Sequence, residues 1–156
     1  MLNIVTIDQL SSLKDELQNK KLVVVGGCFD ILHPGHIAFL KKAKELGDTL
    51  IVFLESNEAV TLRKGKGRPI NQIMYRAQEL IDKTSVDLVI LLSFPFADHD
   101  YDSLVSSLKP AIIATTKGDP FLSHKIRQAN DVGAKVVEVI DRITDHSTTA
   151  IIKKTL

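Results

Sequence analysis

The chain of 156 residues is 44% apolar, and a chain of that size buries roughly 70% of the surface it exposes when unfolded, so one core suffices for a single domain over residues 1–156. Its 20 basic and 19 acidic side chains nearly cancel, only 5% of its residues are aromatic and none is tryptophan, which argues against both a field that draws it to nucleic acid and a base-stacking platform. One cysteine, Cys28, excludes an internal disulfide, and without a signal peptide or a run of about 18 apolar residues the expectation is a cytoplasmic chain with neither a nucleic-acid nor a membrane partner.

In chain order, the segment Ile7 to Leu17 places Leu10, Leu13 and Leu17 on one helical stripe. Short β-branched runs follow at Leu22 to Val25, Leu50 to Leu54, Leu88 to Leu92, Ala111 to Ala114 and Val136 to Ile140, each reading as a buried strand. Between them, Ile37 to Leu46, Ile73 to Lys83, Tyr101 to Leu108 and Phe121 to Val132 repeat apolar residues at helical spacing. Strands alternating with helices predict an α/β fold, a Rossmann-like doubly wound five-stranded parallel sheet with helices on both faces. Thr148 to Leu156 reads as a short terminal helix, and Arg63 to Pro69 as a basic loop.

The segment from Gly26 to His36, GGCFDILHPGH, follows the first strand and opens a helix. In an open α/β sheet, that crevice is where ligands bind. Gly26 and Gly27 let backbone approach a ligand, Pro34 suits a first helical turn, and the free amides beyond it suit a phosphate. His33 and His36 sit three residues apart, so their N–H groups, or protonated rings, can converge on one anion. The plainer alternative has one histidine capping the helix and the other packing. A metal site is disfavoured because Cys28 is the sole soft third ligand nearby.

With these residues the chain resembles the cytidylyltransferase-like nucleotidyltransferase superfamily, whose signature is a Gly-x-Phe-Asp turn followed by His-x-Gly-His. It is most similar to the adenylyltransferase domain of heptose-phosphate nucleotidyltransferases, with likeness also to glycerol-3-phosphate cytidylyltransferases. The resemblance implies a nucleotide site formed by Gly27, Cys28, Phe29, Gly35 and His36 in the first turn, by Lys117 and Asp119 after the fourth strand, and by Arg142, Ser147 and Thr148 near the end. It implies a catalytic set of His33, His36, Lys64 and Arg76, with the loop of Lys64-Gly65 and Arg68-Pro69 supplying positive charge to a triphosphate. Ser147 and Thr148 would open the last helix against the outer phosphates, a run that helix capping alone also explains. Asp30 reads as a support residue, bonding its own backbone or orienting a histidine. Cys28 contributes a small side chain rather than a nucleophile.

The implied reaction is attack by an acceptor phosphate oxygen on the α-phosphorus of ATP or CTP, releasing pyrophosphate, with the protein supplying position and charge. The acceptor is a small phosphorylated sugar or polyol. Mg2+ is expected alongside the triphosphate, and no dedicated carboxylate cage is visible. A homodimer is what the resemblance implies. The chain departs from the heptose-type pattern at Gly26, at Glu55-Ser56-Asn57 where that pattern reads Asn-Ser-Asp, and at Lys117 to Pro120. Those departures keep open a cytidylyltransferase for a polyol phosphate and a non-catalytic nucleotide-binding module.

Overall fold

A computed structural model describes residues 2–144 and 147–155 of the chain, with side chains described through residue 139. Five strands with near-continuous apolar sequence form the centre of the sheet: β2 (Leu22–Gly27), β3 (Thr49–Leu54), β4 (Leu88–Leu91), β5 (Ile112–Thr115) and β6 (Lys135–Thr144). Two more extend it, β1 (Ile4–Thr6) at one edge and β7 (Ser147–Thr155) at the other. The order is β1-β4-β3-β2-β5-β6-β7, with every pair parallel except the antiparallel β6 and β7. The sheet therefore holds seven strands, six of them in the parallel array, where the sequence predicts five.

Alternation along each strand divides the core into two layers. On one face, Val23, Val25, Leu50, Val52 and Leu54 meet Phe39, Leu40 and Ala43 of α2 (Pro34–Lys44) and Ala77 and Leu80 of α4 (Ile73–Lys83). On the other, Val24, Ile51, Phe53 and Ile90 meet Leu10 and Leu13 of a 3-10 turn and Leu17 of α1 (Lys14–Leu17). That face also takes Leu104 and Val105 of α5 (Asp98–Leu108) and Ala129 of α6 (Leu122–Val132). Leu40, Leu50, Leu54 and Leu80 are all fully buried, each burial stabilising the fold by roughly 1.5–3 kcal/mol. Truncating one of them to alanine would open a void that close-packed neighbours refill only in part.

Two sequence expectations are corrected. The segment from Thr148 runs as β7 rather than a helix: Thr148, Thr149, Ile151 and Ile152 are β-branched, a composition that favours a pleated surface over a helix. The basic stretch is partly helical, because α3 (Asn57–Lys64) carries Arg63 and Lys64. Ser56 caps that helix by accepting the Ala59 amide at 3.1 Å, and Gly65 ends it at φ +100°, a backbone angle costly for a residue with a Cβ.

Strand order reverses between β2 and β5, since the chain builds outward through β3 and β4 before crossing to β5. A crevice outside the carboxyl ends of the strands forms at such a switch point. The turns after β2, β3 and β5 all open onto this edge.

Candidate active site

Phe29, Asp30 and the two histidines follow β2 in one tight turn. Phe29 adopts φ +44°, and its ring packs where a Cβ on Gly27 would lie, 2.9 Å from Cε2. Gly27 is thus required by the ring, a role the sequence reading gave to a ligand. The same ring meets the edge of His36 with centroids 5.4 Å apart, and the rings of His33 and His36 stack at 3.7 Å. The turn is therefore closed into one packed unit: glycine, phenylalanine and both imidazoles.

The histidines are joined to the backbone as well as to each other. His33 Nδ1 accepts the amides of Gly35 at 3.1 Å and His36 at 3.3 Å, while His36 Nδ1 accepts the amide of His33 at 3.4 Å. His33 is the N-cap of α2, with Pro34 in the first turn. An Nδ1 that accepts an amide carries no proton, so each neutral ring holds its hydrogen on Nε2, and the His36 ring also interacts with the Ile31 carbonyl. Capping and anion binding thus use opposite nitrogens of the same rings. The amides of Gly35 and His36, which the sequence reading assigns to a phosphate, are here satisfied by His33. Burial holds the His36 imidazole below its ordinary value, helped by repulsion from Lys64 and from His33 whenever that ring is protonated, and opposed by the Ile31 carbonyl. The neutral ring with Nε2–H, rather than an imidazolium, is the donor this geometry presents at His36.

Asp30 is 4% exposed, and its partners are neither its own backbone nor a histidine. Its carboxylate accepts Arg68 Nε at 2.9 Å and the amides of Ile70 and Asn71 at 2.8 Å each, while Asn71 Nδ2 donates to the Asp30 carbonyl at 2.6 Å. Burial pushes this carboxyl up, but the two amides and the Arg68 guanidinium outweigh it and hold it below the usual carboxylate range. Asp30 thereby clamps the basic loop onto the histidine turn. Lys64, exposed at the end of α3, stands at the root of that loop, within electrostatic reach of His36.

Arg76 does not serve as expected. It is 1% exposed and lies on α4 facing inward. Nε donates to the Asn71 carbonyl, Nη1 to the carbonyls of Cys28 and Glu55, each at 2.9 Å, and Nη2 to Asn57 Oδ1 at 2.8 Å. Its guanidinium holds together the histidine turn, the end of β3, the start of α3 and the basic loop, and four of its five N–H groups are consumed in doing so. Phosphate contact is not available to it in this arrangement; its effect on the site is positional.

After β5, Asp119 accepts Thr115 Oγ1 at 2.5 Å and the Phe121 amide at 2.8 Å, and it pairs with Lys125. Burial raises the Asp119 carboxyl, but Lys125, Thr115 and the Phe121 amide together lower it further than burial lifts it. Its carboxylate organises the turn into α6, leaving exposed Lys117 as the group in that turn open to a ligand. Arg142, Ser147 and Thr148, expected at the outer phosphates, have side chains outside the described residues; by backbone register Arg142 pairs with Thr149, Ser147 with Thr144 and Thr148 with Ile143. Ser147 and Thr148 thus stand in a strand and not at a helix N-terminus.

Sequence reasoning gives no site role to Asn71 or Glu55, and it assigns Arg68 to a triphosphate, whereas Arg68 pairs with Asp30. Glu55 follows β3 and binds Arg63 through both oxygens, Nη2 at 2.8 and 2.9 Å and Nε at 3.3 Å. Nothing in their sequence separation predicts these meetings, which join residues 38 and 41 apart in the case of Asp30 with Arg68 and Asn71. Among the described residues no group of three or more His, Cys, Asp or Glu side chains is placed to hold a metal ion, and no helix is long and apolar enough to cross a membrane.

The chain is similar in sequence and in fold to known proteins. It is 37% identical over 139 residues to the bifunctional protein HldE of Actinobacillus pleuropneumoniae, a match covering 88% of this chain and 28% of that protein. It spans less than a third of the length of the curated relatives it matches first. The crystal structure of a lipopolysaccharide core biosynthesis protein from Thermoplasma volcanium superposes with a TM-score of 0.57 at 29% identity, covering 83% of this chain and all of the other. A pantoate-beta-alanine ligase from Francisella tularensis superposes with a TM-score of 0.65 at 18% identity, over 92% of this chain and 69% of that one, a likeness of fold. The cytidylyltransferase-like family model matches residues 24–154, from β2 into β7, and the chain belongs to that cytidylyltransferase-like family.

Proposed function

We propose that the chain transfers AMP from ATP to a sugar 1-phosphate of the heptose type, releasing pyrophosphate. The observation that carries this reading is the paired cap of His33 and His36, which fixes two rings side by side with Nε2–H groups unused by the helix. Two such donors at a helix N-terminus are matched to charge developing on an α-phosphate during in-line displacement, where fixed dipoles need not reorganise. Lys64 adds a mobile positive charge beside them, and Lys117 a second at the mouth of β5. Asp30 and Arg76 act by holding the histidine turn, the end of β3 and the basic loop in register.

The choice of a sugar phosphate is supported by likeness to HldE and to a protein of lipopolysaccharide core biosynthesis. Magnesium enters this proposal as part of the MgATP substrate. The carboxylates at the sheet edge are already engaged, Asp30 by the loop, Glu55 by Arg63 and Asp119 by Lys125, so they do not form a cage for an ion of the protein's own. Arg142, Ser147 and Thr148 remain proposed contacts for the outer phosphates on the strength of the motif alone.

Pyrophosphate release measured with ATP and CTP in parallel, against a panel of sugar 1-phosphates and glycerol 3-phosphate, tests the reading. Turnover with ATP and a sugar 1-phosphate is the expected result. Turnover only with CTP and glycerol 3-phosphate transfers the assignment to a cytidylyltransferase, and binding of nucleotide without product from any pair overturns the enzymatic proposal.

A further inference from the structure

Glu55 and Arg63 meet at the mouth of the site in an arrangement the fold does not need. Glu55 is fixed through its backbone, its amide donating to Gly27 at 3.0 Å and its carbonyl accepting Arg76 at 2.9 Å. Its carboxylate takes the Nε and Nη2 edge of Arg63, and the guanidinium also interacts with the Cys28 side chain in the histidine turn. The Arg63 side chain is 44% exposed against 18% for Glu55, so a guanidinium held by Glu55 stays partly open to solvent. Ion pairs at the surface add little to stability. The helix that carries Arg63 is already secured by the Ser56 cap and buried Val60, and the loop behind it by Asp30.

The topology says what this guanidinium faces. A nucleotide seated at the switch point between β2 and β5 has the histidine turn beneath its phosphates and the β5 turn, with Lys117, to one side. In an in-line displacement the attacking and leaving oxygens lie on opposite sides of the α-phosphorus. β3 flanks β2 on the side away from β5, so a second reactant entering there arrives at Glu55 and Arg63. A planar guanidinium edge with two N–H groups matches a pair of phosphate oxygens.

We propose that Arg63, oriented by Glu55, binds the phosphate of the acceptor and thereby governs which acceptor is used. The assignment rests on the transferase reading above. Arg63 is the contact residue and Glu55 a positioning residue acting through it.

The test is steady-state kinetics of the wild-type chain, Arg63→Met, Glu55→Gln and the double variant, with ATP and the best sugar 1-phosphate varied separately and thermal midpoints recorded. Arg63→Met is expected to raise the acceptor KM about tenfold or more while the ATP KM moves less than about twofold, the loss of one charge-assisted contact. Glu55→Gln is expected to raise the acceptor KM about threefold, and the double variant to be no worse than Arg63→Met, as coupled residues require. An unchanged acceptor KM in Arg63→Met, or equal rises for ATP and acceptor, overturns the proposal and leaves the transferase reading standing. Absence of pyrophosphate release by the wild-type chain with every phosphorylated acceptor overturns both.

Discussion

His33 Nδ1 accepts the His36 amide at 3.3 Å and His36 Nδ1 accepts the His33 amide at 3.4 Å, so each ring is aimed by the backbone of the other. This reciprocity separates structural from chemical duties within one side chain. His33→Asn keeps a good N-cap while removing the Nε2 donor. The expected outcome is a fall in kcat of about a hundredfold or more, as for loss of one donor to a developing oxyanion, with stability within about 0.5 kcal/mol of the parent. Urea denaturation alongside single-turnover kinetics measures both; a large stability loss with a normal rate would assign the residue to capping alone.

Because the His36 imidazole is held below its ordinary value of 6.5, the folded chain binds fewer protons than the unfolded chain just below that pH. Stability linked to this group is fully present above pH 6.5 and is lost as pH falls from there through the lower folded-state value. The thermal midpoint of the wild-type chain is expected to drop more than that of His36→Asn as pH is lowered from about 7 to about 5. Parallel curves for the two proteins would show that His36 is not held neutral by the fold.

Asp30→Asn removes the charge that draws Arg68 and two amides onto the histidine turn. Its Arg68 partner is about a third exposed, so the expected cost is about 2 kcal/mol, below that of a fully buried pair. The freed loop carries Lys64 away from the histidines, and kcat is expected to fall about tenfold or more, as for a misplaced catalytic group. A urea midpoint and an initial rate taken on the same preparation check the two together.

Arg76→Lys retains charge but not the fork that reaches four acceptors. A destabilisation of about 3 kcal/mol or more is expected, with nucleotide affinity unchanged once corrected for the folded fraction. Isothermal titration at low temperature, where the variant is folded, makes that comparison. Weakened triphosphate binding by the folded variant would restore the direct phosphate role expected from the motif.

Much of this architecture is legible in the residues. Helix α4 runs from Ile73 to Lys83 as its periodicity predicts, and the five central strands announce themselves as apolar runs because both faces are covered. Helix α3 was missed because Val60 is its sole buried residue, leaving no stripe to detect; Ser56 at its start and Gly65 at its end were the available signals. Strand β1, three residues long, is too short for any pattern. The turn Gly26 to His36 marked the site, yet the duties of Asp30, Arg76 and Glu55 depend on partners brought close only by the folded chain. An arginine in a motif looks the same in sequence whether it faces a ligand or the backbone around it.

Isotope tracing distinguishes nucleotidyl transfer at the α-phosphorus from attack at any other phosphorus. With sugar 1-phosphate labelled with oxygen-18 in its phosphate, the expected result is unlabelled pyrophosphate and a product retaining all of the label, one labelled oxygen bridging the two phosphorus atoms. Release of ADP, or label in the departing phosphate, would place the attack elsewhere and contradict nucleotidyl transfer.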